Sequence, residues 1–449
     1  MQPQFPLHIL SKKFIKPASP TPYNLRKLKI SSLDQCQLPI YVPYLFCYPL
    51  NDKTKNSERS KLLQTSLSQI LTLFYPLAGR YIEDKLIIDC NDHGVEYIEV
   101  EVACHLAPFL RRDLDGKNLQ QFFPHQSESP SSPLVAVQWN MFECGGVAIG
   151  LCILHRIVDG FVYSKFVDAW STSCRLGFDK VVHHQPSFDL GQISPTREVM
   201  PKVTPISQPH PEKKVASATF VFSNLAISNL RMLAKGAGQF SRVQLVTALI
   251  WKALIRVAEA KHGQLRPSII THLINMRGRT STSLPISKDS CGNIMRPVLV
   301  RFTPEKMGNK VEFDELVSLV CGAITNCVKD CAKPQNGEDL FLMVDSAWKK
   351  AAEESKRNEV VSYFFTSACG MPIYPDFGLG KPVRVTRKEA FAEEIISLMD
   401  TRDGDGIEAW ISLEENDMKI FQQDPCIIAF TSQKDQHDDD RSIYLRSRC

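Results

Sequence analysis

No run of about eighteen apolar residues occurs anywhere in the 449-residue chain, so no segment has the length and character of a membrane-spanning helix. Residues 1–30 are interrupted by Lys12, Lys13, Lys16, Pro17, Pro20 and Pro22, and no apolar stretch follows a basic start, so no secretory leader is expected. The 14 cysteines include no Cys-x-x-Cys pair; the nearest spacing is Cys327 to Cys331. That pattern argues against a disulfide framework or a zinc site, and predicts reduced thiols in a cytoplasmic protein that holds no metal. Concentrated basic charge is also missing. The net charge is +4, and the densest runs, Lys12-Lys13 and Arg111-Arg112, are short and flanked by apolar residues. Nucleic acid is therefore not an expected partner, although a small positive surplus favours an anionic cosubstrate. There is no Gly-x-Gly-x-x-Gly loop, no Walker loop and no Gly-x-Ser-x-Gly nucleophile elbow.

What is present is an ordinary globular composition, 43% hydrophobic and 23% charged, over a length that suits two or three domains. Residues 57–74 place Leu62, Leu63, Leu67, Ile70, Leu71 and Phe74 on one helical face before Tyr75-Pro76 stops the pattern. Short strands are expected at 85–90 and 134–142, and Val147 to Leu154 is a nearly unbroken apolar run that suits a strand buried on both faces. A helix follows at 161–173. Between 176 and 214 six prolines lie among His, Ser and Lys, which marks a long crossover; His183, His184 and His210 read there as surface residues.

The second half restarts with a strand at 218–222 and a helix near 224–235. At Ser241 a helix begins with Gln244 three residues on, the signature of a capping box. Strands are expected near 268–275, 296–302, 359–366, 381–386, 394–399 and 407–412, with helices near 312–329, 338–354 and 414–422. The expected organisation is an α/β chain with a domain over 1–175, a crossover linker over 176–214, a second domain over 215–432, and a solvated, disordered tail over 433–449 that contains Asp438-Asp439-Asp440. No internal repeat is visible.

The local feature with most chemical promise is His155-Arg156-Ile157-Val158-Asp159-Gly160. Its residue types alone prove little, but its placement matters: the histidine falls where a buried strand ends and the chain turns into a helix, a common station for catalytic groups in α/β folds. The alternative is a core histidine bonded to a backbone carbonyl. A second feature, Tyr374 to Pro382, sets two glycines and two prolines around Asp376-Phe377 and reads as a rigid turn that braces a cleft without touching substrate.

The pairing of His155-x-x-x-Asp159-Gly160 with Asp376-Phe377-Gly378-Leu379-Gly380-Lys381-Pro382 resembles the plant BAHD family of acyl-CoA-dependent acyltransferases. So do Lys16-Pro17-Ala18-Ser19-Pro20-Thr21-Pro22, Leu33-Asp34-Gln35, Phe74 to Arg80, Asp89-Cys90-Asn91-Asp92-x-Gly94, Phe142-x-Cys144-Gly145-Gly146, Asn275-x-Arg277, Gly292-Asn293 and Gly404-x-Gly406 to Trp410, which stand in the family's order. The resemblance is greatest to the branch of alkaloid O-acetyltransferases and alcohol acyltransferases. It implies two chloramphenicol-acetyltransferase-like domains, each a mixed sheet flanked by helices, joined by the long crossover. It also implies direct transfer from acyl-CoA, acetyl-CoA first among donors because no arginine cluster awaits a second carboxylate. His155 is then the general base that takes the acceptor's proton. Asp159, paired in the family with an arginine that matches Arg277, organises the site, and Asp376, Gly378 and Gly380 support it. No bound cofactor or metal is implied, and the expected protein is a monomer with two small-molecule partners, acyl-CoA and an alcohol.

The sequence departs from the family at two tryptophans. The family's Asp-Phe-Gly-Trp-Gly has Leu379, and its Thr-Ser-Trp reads Thr366-Ser367-Ala368. Thr366 and Ala368 therefore mark the expected oxyanion or acceptor pocket. Loss of an indole N–H there weakens transition-state stabilisation by about 3 kcal/mol unless Thr366 compensates, and loss of the ring makes room for a bulkier acceptor. A second reading stays open: a diverged member that binds coenzyme A or a metabolite and catalyses another reaction or none.

Overall fold

The computed structural model describes residues 5–111, 119–124, 132–181, 185–198, 214–234, 240–307, 310–387 and 394–433. His183, His184, His210 and the expected tail from residue 434 onward lie outside them. The chain divides into two compact α/β units, and the division is not the sequential one. The first unit takes Met1–Pro201 together with two excursions of the second half, Ser287–Asn293 and Pro372–Glu389.

The first unit is built on a six-stranded mixed sheet in the order Leu7–Ile15, Val95–Val102, Val135–Phe142, Val147–Leu154, Tyr41–Tyr48, Arg384–Thr386. Val147–Leu154 lies inside this sheet with all eight residues buried, as its apolar run demands. In Tyr41–Tyr48 the alternation of a strand sends Leu45 and Cys47 to one face and Tyr44, Phe46 and Tyr48 to the other. Leu45 and Cys47 join a core of Phe109, Phe122 and Phe142. Against the opposite face pack two helices, Asn56–Leu73 and Gly160–Leu176. They are pinned to each other by Phe74 edge-on to Phe166 at 5.4 Å and by the buried Trp170, whose indole N–H donates to the Leu63 carbonyl at 3.1 Å.

The segment that carries Asp376, expected in the second domain, is part of this first unit. The physical reason is edge pairing: Arg384–Thr386 hydrogen-bonds antiparallel to Tyr41–Tyr48, which gives partners to backbone groups of a strand edge that no other strand covers among the described residues.

The second unit comprises Lys202–Ile286, Ile294–Met371 and Ala390–Cys449. Its seven-stranded mixed sheet runs Met295–Phe302, Ser268–Asn275, Val361–Ser367, Ile395–Asp400, Ile407–Glu414, Val215–Phe222, Ser432–Gln433. The helix Arg242–His262 starts with the expected capping box, the Ser241 hydroxyl accepting from the Gln244 N–H and the Gln244 side chain from the Ser241 N–H. Its indole Trp251 donates to the Ser268 hydroxyl at 2.9 Å and ties helix to sheet. Helices Phe313–Asp330 and Gly337–Ser355 pack on Met295–Phe302, and Phe421 of Glu415–Gln422 meets Phe220 at 5.2 Å. Among the described residues no helix is long and apolar enough to cross a membrane, and no group of three His, Cys, Asp or Glu is placed to hold a metal ion.

Gly150 shows how tightly the first sheet is covered. A Cβ built there would stand 2.2 Å from the Phe122 carbonyl oxygen, a backbone atom that cannot swing aside. Gly150→Ala should therefore lower unfolding free energy by about 1–3 kcal/mol, read as a fall in the urea midpoint with an unchanged m-value; an unchanged midpoint would mean the Phe122 segment yields freely.

Candidate active site

The strand Val147–Leu154 ends in a single 3-10 turn, His155–Ile157, and the helix Gly160–Leu176 begins three residues later. Two sequence features force this change of direction. Asp159 sits in extended conformation at the N-cap, and its carboxylate accepts from the Val162 N–H at 3.0 Å, satisfying one of the helix's unpaired donors. The 155–157 turn is itself closed by the Val158 N–H on the His155 carbonyl at 3.2 Å. His155 and Asp159 are thus brought together as neighbours on one turn, the histidine half-buried and the aspartate 1% exposed.

Nδ1 of His155 is buried and has no hydrogen-bond partner among the described residues. Nδ1 is therefore not held on a carbonyl among the described residues. This also separates the arrangement from a relay in which a carboxylate orients the imidazole. The backbone of His155 is held instead. Its N–H donates to the Ile40 carbonyl at 2.7 Å, and its carbonyl accepts from the Asn293 side-chain amide at 3.0 Å. The same amide reaches the Arg156 carbonyl at 3.0 Å and the Asp34 carboxylate at 2.9 Å.

Asp34 is the anchor of that group. It is the third residue of the short helix Ser32–Gln35, where it completes a capping box with Ser31, accepting from the Ser31 N–H at 3.0 Å and hydroxyl at 2.6 Å. Its other oxygen accepts from the Asn293 N–H at 2.8 Å. Burial pushes the Asp34 carboxyl above its ordinary pKa, and the hydrogen bonds from Ser31 and Asn293 oppose that rise. Next to it, the Gln35 carbonyl accepts from the Arg156 guanidinium at 3.4 Å, and the Gln35 side chain pairs with the Arg197 backbone through bonds of 2.9 and 2.8 Å. In the sequence Leu33-Asp34-Gln35 and Gly292-Asn293 stand out only as family landmarks, with no role attached. The Ser-x-x-Asp spacing at 31–34 was the local signal that a buried acid cap lay there.

The Asp376 loop is brought to the other end of the same helix. One Asp376 oxygen accepts from the Gly378 and Gly380 N–H groups, both at 2.9 Å, and both glycines adopt positive φ, 82° and 78°. Phe377 is buried edge-on against Trp170 at 4.8 Å, and its carbonyl accepts from the Cys174 thiol at 3.3 Å. Burial pushes that thiol up to about 11, so it remains a donor at neutral pH. The Tyr48 hydroxyl, also lifted by burial, donates to the Pro375 carbonyl at 2.8 Å. At about 1.5 Å per residue, Cys174 lies about 21 Å along the helix from Gly160. Asp376, Gly378 and Gly380 thus brace the helix and stay remote from His155.

Arg277, Thr366 and Ala368 belong to the second unit. Arg277 is 7% exposed, and its guanidinium donates to the Asn275 side chain at 3.1 Å. Thr366 lies on Val361–Ser367, paired in parallel register with Ser397, and the Ala368 N–H donates to the Leu398 carbonyl at 2.7 Å. The loop after Ala368 is tied to Asp400, which accepts from the Gly370 N–H at 2.8 Å and from Arg242 at 2.8 Å.

A histidine at the end of a buried strand, followed by a helix-capping aspartate, thus stands in one of two α/β units. Residues 5–427 match the sequence profile described as "Transferase family". The chain is 35% identical over 440 residues to acetyl-CoA-benzylalcohol acetyltransferase of Clarkia breweri, covering 94% of this chain and 99% of the relative. It is 33% identical over 440 residues to stemmadenine O-acetyltransferase of Catharanthus roseus, covering 94% and 97%. The crystal structure of vinorine synthase matches with a TM-score of 0.79 at 31% identity, over 95% of this chain and 99% of that one. The chain belongs to the BAHD transferase family and is an acyl-CoA-dependent acyltransferase.

The geometry of the Asp376 loop makes a direct prediction. Asp376→Ala should lower unfolding free energy by about 1–2 kcal/mol through two lost N–H acceptors, while turnover per folded molecule keeps its pH profile. A changed profile would place Asp376 in the chemistry.

Proposed function

We propose that the enzyme transfers an acetyl group from acetyl-CoA to a hydroxyl of a plant specialised metabolite, with His155 as general base. The observation that carries this reading is the His155 ring, half-buried at the end of Val147–Leu154 with its backbone fixed on both sides and Nδ1 unpartnered among the described residues. A neutral imidazole so held takes the acceptor's proton as the oxygen attacks the thioester carbonyl. The tetrahedral oxyanion is met by nearby donors, for which Thr366 is the candidate where the family's indole is replaced by Ala368. Collapse releases coenzyme A as the thiol and needs no acyl-enzyme.

Asp159 serves this step as an organiser of the site, and one of its carboxylate oxygens caps the helix on the Val162 N–H. The names of the relatives support acetyl as the acyl group and alcohols and alkaloids as acceptors. Ala368 in place of a tryptophan supports an acceptor larger than benzyl alcohol. A monomer working in the cytoplasm on two small molecules is part of the same proposal.

The test incubates the purified chain with acetyl-CoA and a pool of benzyl alcohol, terpenoid alcohols and hydroxylated alkaloids, and follows products by mass spectrometry beside His155→Ala. Products heavier by one acetyl group should form, and His155→Ala should slow their formation by about 10²–10⁴-fold. Undiminished transfer by His155→Ala would overturn the base assignment. Products of unchanged or lower mass would favour a diverged reaction at the altered Thr366–Ala368 segment.

A further inference from the structure

A histidine acting as base is ordinarily aimed by a hydrogen bond to its second ring nitrogen, and that bond is missing among the described residues here. Something else must fix the ring. We infer that Asn293, locked by Asp34, is the positioning residue of the catalytic turn, and that it aims His155 through the backbone. The inference rests on His155 being the base and goes on to say what orients it.

The Asn293 side chain is 1% exposed, and its amide nitrogen lies within 3.0 Å of the Asp34 carboxylate, the His155 carbonyl and the Arg156 carbonyl. All three are acceptors, so only the NH₂ end can face them, and the orientation of the amide is decided by its surroundings. Two protons are shared among three acceptors, with two of these successive peptide carbonyls. With the Ile40 carbonyl holding the His155 N–H at 2.7 Å, the peptide groups on both sides of the His155 Cα are held. Fixed φ and ψ restrict the side chain to the rotamers that backbone allows, so the bracket narrows the directions open to the ring.

Asn293 is itself immobilised. Asp34 takes both its backbone N–H and its side-chain amide. Gly292, at φ 126°, passes so close that a Cβ there would meet Leu190 at 2.5 Å and the Asp34 carboxylate at 3.3 Å. Upstream, the Cys291 N–H donates to the Ser187 carbonyl at 2.7 Å, the Ser290 hydroxyl to Asp189 at 3.1 Å, and Asp289 pairs with Lys165 of the Gly160–Leu176 helix. A seven-residue excursion, Ser287–Asn293, is thus stitched into the first unit at five successive residues and ends on the amide that holds the histidine's carbonyl. A segment whose purpose was only to fill space would not need a donor aimed at two carbonyls of the same turn.

The test compares Asn293→Ala and Asn293→Asp with the wild type, using acetyl-CoA with the pooled alcohol that the wild type acetylates fastest, at a temperature where circular dichroism shows all three folded. The isosteric carboxylate fills the space of the amide but offers acceptors to three acceptors. Positioning predicts that kcat falls about a hundredfold in Asn293→Asp and less in Asn293→Ala, with KM for acetyl-CoA within twofold of wild type. A space-filling role predicts the opposite order. Crystal structures of the two variants supply a readout independent of turnover: the His155 ring should leave its wild-type direction in both. A ring unmoved in both, or a kcat unmoved while His155→Ala is inactive, overturns the positioning role and leaves the base assignment standing. Activity retained by His155→Ala instead removes the base assignment, and the ring direction in the crystals still decides whether Asn293 aims it.

Discussion

Three oxygen acceptors converge on one buried amide, that of Asn293, and the candidate active site depends on that convergence. Within five residues the chain leaves a strand buried along its whole length and enters a capped helix. Such a passage strands backbone carbonyls in the interior, where an unpaired polar group costs about as much as a lost hydrogen bond. A donor from elsewhere in the chain must meet them. The Asn293 amide meets two, and the buried carboxylate of Asp34 holds it from behind. That carboxylate carries its own burial cost, reflected in its raised pKa, and is tolerable because Ser31 and Asn293 both donate to it.

The same economy explains why two motifs about 220 residues apart act on one element. Asp159 caps the start of the Gly160–Leu176 helix, and the Asp376 loop seals its far end by seating Phe377 on Trp170 and accepting the Cys174 thiol. Trp170 is also bonded to Leu63, so the loop, this helix and the Asn56–Leu73 helix are fastened in series. The two departures from the family therefore differ in weight. Leu379 lies half-buried in a bracing loop, remote from His155, and leaves the Asp376 bonds to Gly378 and Gly380 in place. Ala368 follows the strand that carries Thr366, and its change removes both a donor and a ring from the proposed acceptor side.

Much of this was legible in the sequence where local physics dominates. The unbroken apolar run at 147–154, the capping box at Ser241 and the strand at 268–275 each match the structure residue for residue or nearly so. Long-range pairing was not legible. Leu7–Ile15 is an edge strand with most side chains exposed, and its lysines mask the alternation. Tyr41–Tyr48 contains Pro43, which argues against a strand on local grounds although the sheet accommodates it. The first domain's claim on Pro372–Glu389 depends on pairing Arg384–Thr386 with a strand more than 300 residues earlier, for which no local residue pattern exists. At the candidate site, His155 and Asp159 stood out by placement. Asp34 and Asn293 did not, because their meaning lies in a contact 259 residues apart in sequence.

Asp34 and Asn293 act as one device on the His155 turn. A double-mutant cycle with Asp34→Ala and Asn293→Ala, read in both unfolding free energy and kcat, tests it most directly. The two residues should couple by about 0.5–3 kcal/mol, the second substitution adding little once the first is made. Strictly additive effects in both readouts would contradict it, and would leave the histidine held by the strand and helix alone.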